Sequence, residues 1–232
     1  MNASAKIIDL PIRKSTNKKS TSKRTPAYQP EYERIKYFRK SEIQALRRTV
    51  RNQAEVALQR QNCTGVRDWV VTDILTATGL RCAEVADLRV GDIQISYGKS
   101  SLIVRNGKGG KRRVVEIPLS LKLHLKQYLQ WKAQRCEPMG DDEHLILGQR
   151  GVMKNQGVQL LIKKYLKLLG LYENGKSVHA LRHSYAVQLY RTCKDIRIVQ
   201  RQLGHESPTV TDIYVHILQE DIQKEIKGMW SN

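Results

Sequence analysis

Two hydrophobic rhythms run along this chain. Ile43, Leu46 and Val50 follow Ser41, which reads as an N-cap, and they predict a helix ending near Arg60. Residues 63–65 break it. Trp69, Val70, Ile74 and Leu75 then fall on one apolar stripe, predicting a helix over 66–78 with Gly79 as its C-cap. A short helix over 82–88 follows. The period then drops to two. Ile93 and Ile95, the run 102–104, and Val114, Val115 and Ile117 are separated by turn residues at 97–99 and 106–110. This predicts an antiparallel three-stranded meander, ended by Pro118. Helical spacing returns over 121–134, 156–169, 177–192, 196–203, 209–217 and 219–229. The expected fold class is mainly α with a small three-stranded antiparallel sheet, an α+β domain.

The stretch before Tyr37 follows neither rhythm. Lys6, Arg13, Lys14, Lys18, Lys19, Lys23 and Arg24 alternate with Ser and Thr, interrupted by Pro11, Pro26 and Pro30. Apolar residues there are too sparse to bury much surface, so residues 1–36 read as a flexible basic arm. Such an arm can order on a phosphate backbone through Lys14, Lys18, Lys19, Lys23 and Arg24. A solubilising tail is the plainer alternative. Residues 37–232 form the folded domain. No internal repeat is visible.

Charge narrows the partner. The 232 residues carry 41 Lys and Arg against 22 Asp and Glu, a formal net of +19. Such an excess repels itself in a compact chain and favours a polyanion, nucleic acid above all. No run of 18 apolar residues exists, so no membrane span is expected. The basic N-terminus lacks the apolar core of a secretory signal. Cys63, Cys82, Cys136 and Cys193 are far apart and include no C-x-x-C pair, which fits reduced thiols in a cytoplasmic protein rather than a zinc site. One Phe and three Trp, with no RNA-module motif, argue against a plain basic RNA-binding protein.

Four separated segments concentrate polar chemistry. In the first, 78–84, Arg81 starts a helix after a glycine cap, and Glu84 sits three residues on, where the two can pair. An ordinary surface ion pair is the plainer reading. The second, 105–113, is a glycine-rich hairpin tip with Arg105, Lys108, Lys111, Arg112 and Arg113. It lacks P-loop spacing, and cations laid against a phosphate backbone suit it better. In the third, His179 and Arg182 are one helical turn apart and face one place. The fourth runs from Leu203 through His205 to Pro208, with Tyr214 nine residues after His205. Ser207 and Pro208 read as N-cap and first helical residue of the helix that bears Tyr214.

The ordered set TGLRCAE, GKGGKRR, HALRHSYA, LGHES and TDIYVH resembles the signature of the tyrosine recombinases, the phage integrase family, in its Xer-like form. The resemblance runs from about Tyr37 to the end. It implies that the family's Arg, Lys, His, Arg, His and Tyr fall on Arg81, Lys108, His179, Arg182, His205 and Tyr214. It implies site-specific cleavage and rejoining of double-stranded DNA through a 3′-phosphotyrosyl link on Tyr214, with integration, excision, inversion or resolution as outcome, as in mobile genetic elements. It implies no metal and no cofactor, since the arginines supply positive charge. The implied partners are a homotetramer on DNA, and accessory DNA-bending proteins or a second recombinase. The implied location is the bacterial cytoplasm, on the nucleoid. A non-catalytic DNA-binding regulator on the same fold and a type IB topoisomerase that only relaxes supercoils are the alternatives.

One departure stands out. Many relatives carry a helical DNA-clamping domain of about 100 residues ahead of the catalytic domain, and here the arm stands in that place. The chain is similar to the short fimbrial-switch inverting enzymes, or to part of a longer recombinase; Met1 and the uninterrupted arm lead us to expect a natural start. The end, 219–232, carries Ile222, Ile226, Met229 and Trp230 at amphipathic spacing. In relatives such a segment docks on a neighbouring subunit, and packing on its own domain is the alternative.

Overall fold

The computed structural model describes residues 36–107, 110–173, 176, 178–204 and 226. The chain divides into units Met1–Pro30 and Glu31–Asn232, and every described residue lies in the second. The basic arm and the expected helices over 209–217 and 219–229 therefore lie outside the described residues, apart from Lys36 and Ile226.

The helix α1 (Lys40–Gln59) buries Leu46, Val50, Ala54 and Ala57, one stripe at helical spacing. Its start is capped by Glu42 rather than by Ser41: the Glu42 carboxylate accepts the Arg39 backbone N–H at 2.6 Å. The helix α2 (Cys63–Thr78) begins at Asn62, whose side chain accepts the Thr64 N–H, and ends at Gly79 with φ 65°.

The single apolar stripe expected for α2 is too narrow. This helix is buried on nearly every face, between α1, α4, α5 and α6. Its polar residues are satisfied where they stand. Asp68 accepts from the Tyr165 hydroxyl at 2.9 Å, and Thr72 and Thr78 hydroxyls donate to carbonyls one turn back. Asp73 takes Arg47 on one oxygen and His124 on the other, so one carboxylate joins α1, α2 and α4.

After α3 (Cys82–Asp87) and a short turn at 90–92 comes the meander: β1 (Ile93–Gln94), β2 (Ser101–Val104) and β3 (Arg113–Glu116). The order is β1-β2-β3, antiparallel throughout, with Ile93 opposite Leu102 and Val104 opposite Arg113. This is the expected three-stranded sheet. The helix α4 (Leu119–Gln134) begins two residues earlier than its apolar spacing suggests, directly after Pro118. A hairpin of two-residue strands, β4 (Leu147–Gly148) and β5 (Gly151–Val152), precedes α5 (Asn155–Leu168), and no sequence pattern signalled it. The helices α6 (Val178–Cys193) and α7 (Ile196–Leu203) complete the described chain.

A large core gathers α1 to α5 and the sheet. A smaller one, built on Ala186, Val187, Tyr190, Val199 and Leu203, holds α7 against α6. Between them, α7 is tied to the free edge of β3. The Gln202 side chain both accepts the Glu116 N–H and donates to the Glu116 carbonyl, completing what a fourth strand would otherwise supply. These joints bring the ends of α2 and α7, the start of α3, strand β3 and the first turns of α6 to one place.

Gly79 is the tightest point of this junction. Its left-handed φ suits glycine, and an added Cβ would stand 2.5 Å from Tyr185 Cδ1 and 2.9 Å from Leu203 Cδ2. Gly98 has a similar φ of 73° with nothing within 4 Å. Gly98→Ala should therefore cost only about 1 kcal/mol of backbone strain. Gly79→Ala should cost about 2–4 kcal/mol, because overpacking adds to that strain. Urea unfolding of the two variants checks this; equal losses would refute the crowding.

Candidate active site

Arg81 is the residue before α3, so its backbone N–H faces the helix start. Glu84, three residues on, accepts that N–H at 2.8 Å and the Arg81 Nη1 at 2.9 Å. The pairing expected from spacing is present, but it is no surface ion pair: the Glu84 side chain is 4% exposed. A carboxylate this deep needs more than one partner. Arg113 on β3 supplies it with a fork, Nη1 and Nη2 each 2.9 Å from one Glu84 oxygen. Burial by itself would raise the Glu84 pKa. The Arg113 hydrogen bonds, the Arg81 backbone N–H and the charges of Arg113 and Arg182 outweigh it and hold the carboxyl below its usual range.

Arg182 approaches from α6. Its Nη1 donates to the Gly79 carbonyl and its Nη2 to the Leu203 carbonyl, both at 2.8 Å. Those carbonyls close α2 and α7, where the helix dipoles leave partial negative charge. Arg182 thus staples two helix ends, and its Nη1 stands 4.0 Å from Glu84 Oε2. Three guanidiniums surround one carboxylate, which leaves the cluster two positive charges in excess. Arg81 is the most open of the three, with a side chain 30% exposed against 12% for Arg113 and 9% for Arg182. An anion arriving here meets fixed donors that are already oriented.

His179 lies in the first turn of α6, exposed, one turn ahead of Arg182. His183 follows one turn later. Burial first, then the charges of Arg182 and His179, lowers its pKa below the usual imidazole range. The structure therefore joins Arg81 and Arg182 through Glu84, and places His179 on the helix that carries Arg182. Lys108, His205 and Tyr214 lie outside the described residues, as do Lys14, Lys18, Lys19, Lys23 and Arg24 of the arm.

The hairpin cations divide. Lys111 and Arg112 are exposed beside the tip. Arg105 and Arg113, also expected to touch a DNA backbone, carry intramolecular partners in the DNA-free chain. Arg105 Nε donates to the buried Asp92 and its Nη1 to Asp142, each at 2.7 Å, fastening the sheet to the 138–142 loop. Among the described residues no group of three or more His, Cys, Asp or Glu can hold a metal. No described helix is long and apolar enough to cross a membrane. A cavity of about 920 Å³ between the start of α1, α6 and the β3–α4 corner is lined by neither Arg81, His179 nor Arg182.

A profile of the phage integrase family matches residues 36–221. The chain belongs to that family. Among curated proteins, tyrosine recombinase XerC of Herpetosiphon aurantiacus is 35% identical over 164 residues, which cover 70% of this chain and 52% of the relative. Tyrosine recombinase XerA of Pyrococcus horikoshii is 33% identical over 162 residues, covering 70% and 54%. The chain thus spans about half the length of the curated relatives it matches. Among solved structures, that of XerA recombinase superposes with a TM-score of 0.65 at 26% identity, over 92% of this chain and 68% of that one. The integrase-family fold is thereby established, and the mainly α architecture with its small antiparallel sheet is that of the family's catalytic domain.

Proposed function

We propose that this chain cleaves and rejoins duplex DNA at specific sites through a transient 3′-phosphotyrosyl bond on Tyr214. The observation that carries this reading is the convergence of Arg81 and Arg182 on one buried carboxylate, with two positive charges in excess. That arrangement suits the nonbridging oxygens of a phosphodiester, whose charge grows as the attacking oxygen adds.

In this reading the Tyr214 oxygen attacks phosphorus and the 5′ oxygen leaves. Tyrosine has a reference pKa of about 10, so its proton must be taken up. His179 accepts it. Arg81 and Arg182 hold the nonbridging oxygens, and His205 adds a further donor. Lys108, a point-charge ammonium, protonates the leaving 5′ oxygen. The phosphotyrosine conserves the bond energy, and reversal of these steps with a new 5′ hydroxyl rejoins the strand. The enzyme acts as a homotetramer on two DNA sites in the bacterial cytoplasm, with Lys111, Arg112 and the arm on the phosphate backbone. Family membership supports DNA as the partner: a related recombinase, XerH, has been solved bound to a palindromic difH substrate in a post-cleavage complex.

The test selects the target sequence as it measures cleavage. Nicked duplexes with randomised flanks are incubated with the protein, denatured, and the protein-linked strands recovered and sequenced. Enrichment of one sequence, with the adduct mapped to Tyr214 by mass spectrometry, is the expected result. No adduct, or an adduct on another residue, would sink the reading. Two-site recombination set beside plasmid relaxation with the enriched sequence separates a recombinase from a topoisomerase.

Lys108 is tested by the leaving group. Lys108→Ala should slow cleavage by about 10²–10⁴, the usual span for a lost general acid. A 5′-thio leaving group, which scarcely needs protonation, should restore the rate. No rescue would remove Lys108 from this role.

A further inference from the structure

The Arg113 guanidinium is the one hairpin cation, among the described residues, that reaches the arginine site. Strand alternation explains why: Arg113 and Val115 share the inward face of β3, continued by the buried Ile117 just after it, while Val114 and Glu116 face outward. The guanidinium therefore enters the protein beneath the hairpin, and its side chain is 12% exposed. Room for it is made by Gly204, which closes α7 with φ 70°. A Cβ there would stand 2.6 Å from Arg113 Cδ.

A carboxylate offers about four lone-pair sites, and Glu84 uses them on four donors. These are the Arg81 N–H, Arg81 Nη1, and the two ends of the Arg113 fork. Without the fork, two sites of a buried carboxylate would be vacant. The nearest cations are Arg81, already bonded, and Arg182 at 4.0 Å. Arg182 is held by the Gly79 and Leu203 carbonyls, so it is Arg81 that would be drawn further onto Glu84 and away from an incoming phosphate.

We infer that Arg113 is a positioning residue for the phosphoryl-transfer site: by saturating Glu84 it holds Arg81 in reach of the phosphate, and it ties that arginine to the strand leading from the hairpin tip. Arg113 touches no DNA in this role. The inference rests on the proposed cleavage reaction.

The test separates positioning from phosphate contact. With the enriched nicked duplex, Arg113→Met should slow covalent capture by about 10–100-fold, as a lost oriented donor does. DNA affinity and its salt dependence should be unchanged. Arg113→Lys keeps the charge but loses the fork, and it should be as slow as Arg113→Met within about threefold. In an Arg81→Ala background, adding Arg113→Met should cost less than about threefold, since the residue it acts through is gone. Wild-type rates in Arg113→Lys, a flattened salt dependence, or full multiplication of the two losses would each overturn the inference.

A second measurement does not depend on cleavage. In the DNA-free protein the Arg81 side-chain ¹⁵N signals should show hindered guanidinium rotation, and lose it in both Arg113→Lys and Arg113→Met. Persistence of that signature overturns the positioning role. Absence of any wild-type adduct alongside the expected NMR change would instead count against the cleavage reaction alone.

Discussion

Replacing Arg182 with alanine is expected to slow DNA cleavage severely and to destabilise the domain in the same step. The two effects come from one side chain. Its fork joins the Gly79 and Leu203 carbonyls, the ends of α2 and α7. Alanine leaves both without it, each unsatisfied group costing about 1–3 kcal/mol. A total of roughly 3 kcal/mol should lower Tm by about 6–12 °C for a domain of this size. Cleavage should fall by about 10²–10³ from the lost oriented charge alone. The shift of Glu84 towards the gap adds to that loss. Arg182→Lys discriminates the parts. An ammonium restores charge but cannot reach both carbonyls in a plane, so it should recover some activity and little stability. Thermal unfolding and the single-turnover rate of covalent capture read the two separately. An unchanged Tm in Arg182→Ala would show that the staple is not structural.

The legible parts of this chain were those where one face meets water. The stripe of α1 and the alternation of the meander could be read directly, because burial on one side only leaves a periodic trace. The helix α2 is buried on nearly every face, so one apolar stripe describes only part of it, and its polar Asp68, Thr72, Asp73 and Thr78 are internal connectors. The β4–β5 hairpin has two residues per strand, too few for any period to show. At the site, Arg81 and Arg182 were visible as chemistry, and the structure adds that they meet at Glu84.

Arg113 was the misleading residue. Read with its neighbours Lys111 and Arg112, it is one more cation on a basic tip. Read with Val115 and Ile117, two and four residues on, it belongs to the inward face of a strand. The second pattern was available in the sequence, and charge density hid it. Gly204 belongs to the same lesson. As a helix C-cap it needs no further reason, yet its missing Cβ is also the space Arg113 occupies.

Replacing Tyr214 with phenylalanine should eliminate the covalent DNA adduct while leaving DNA binding intact. The substitution removes one oxygen and keeps the ring, the smallest change that deletes the nucleophile. Chemistry, by contrast, has no second candidate at that position, since phenylalanine carries no nucleophile. The same variant separates the rival readings of this fold. A non-catalytic regulator would behave identically with Tyr or Phe at 214, in binding and in every DNA product. A relaxing enzyme and a recombinase would both lose all activity, and only the two-site assay on the parent protein tells them apart. In the proposed reaction Arg81 and Arg182 act on the phosphate rather than on the nucleophile. Their loss should therefore slow adduct formation by finite factors, whereas Tyr214→Phe should abolish it. A denaturation-resistant adduct in Tyr214→Phe would move the nucleophile elsewhere and leave the arginine cluster as an anion site without its proposed reaction.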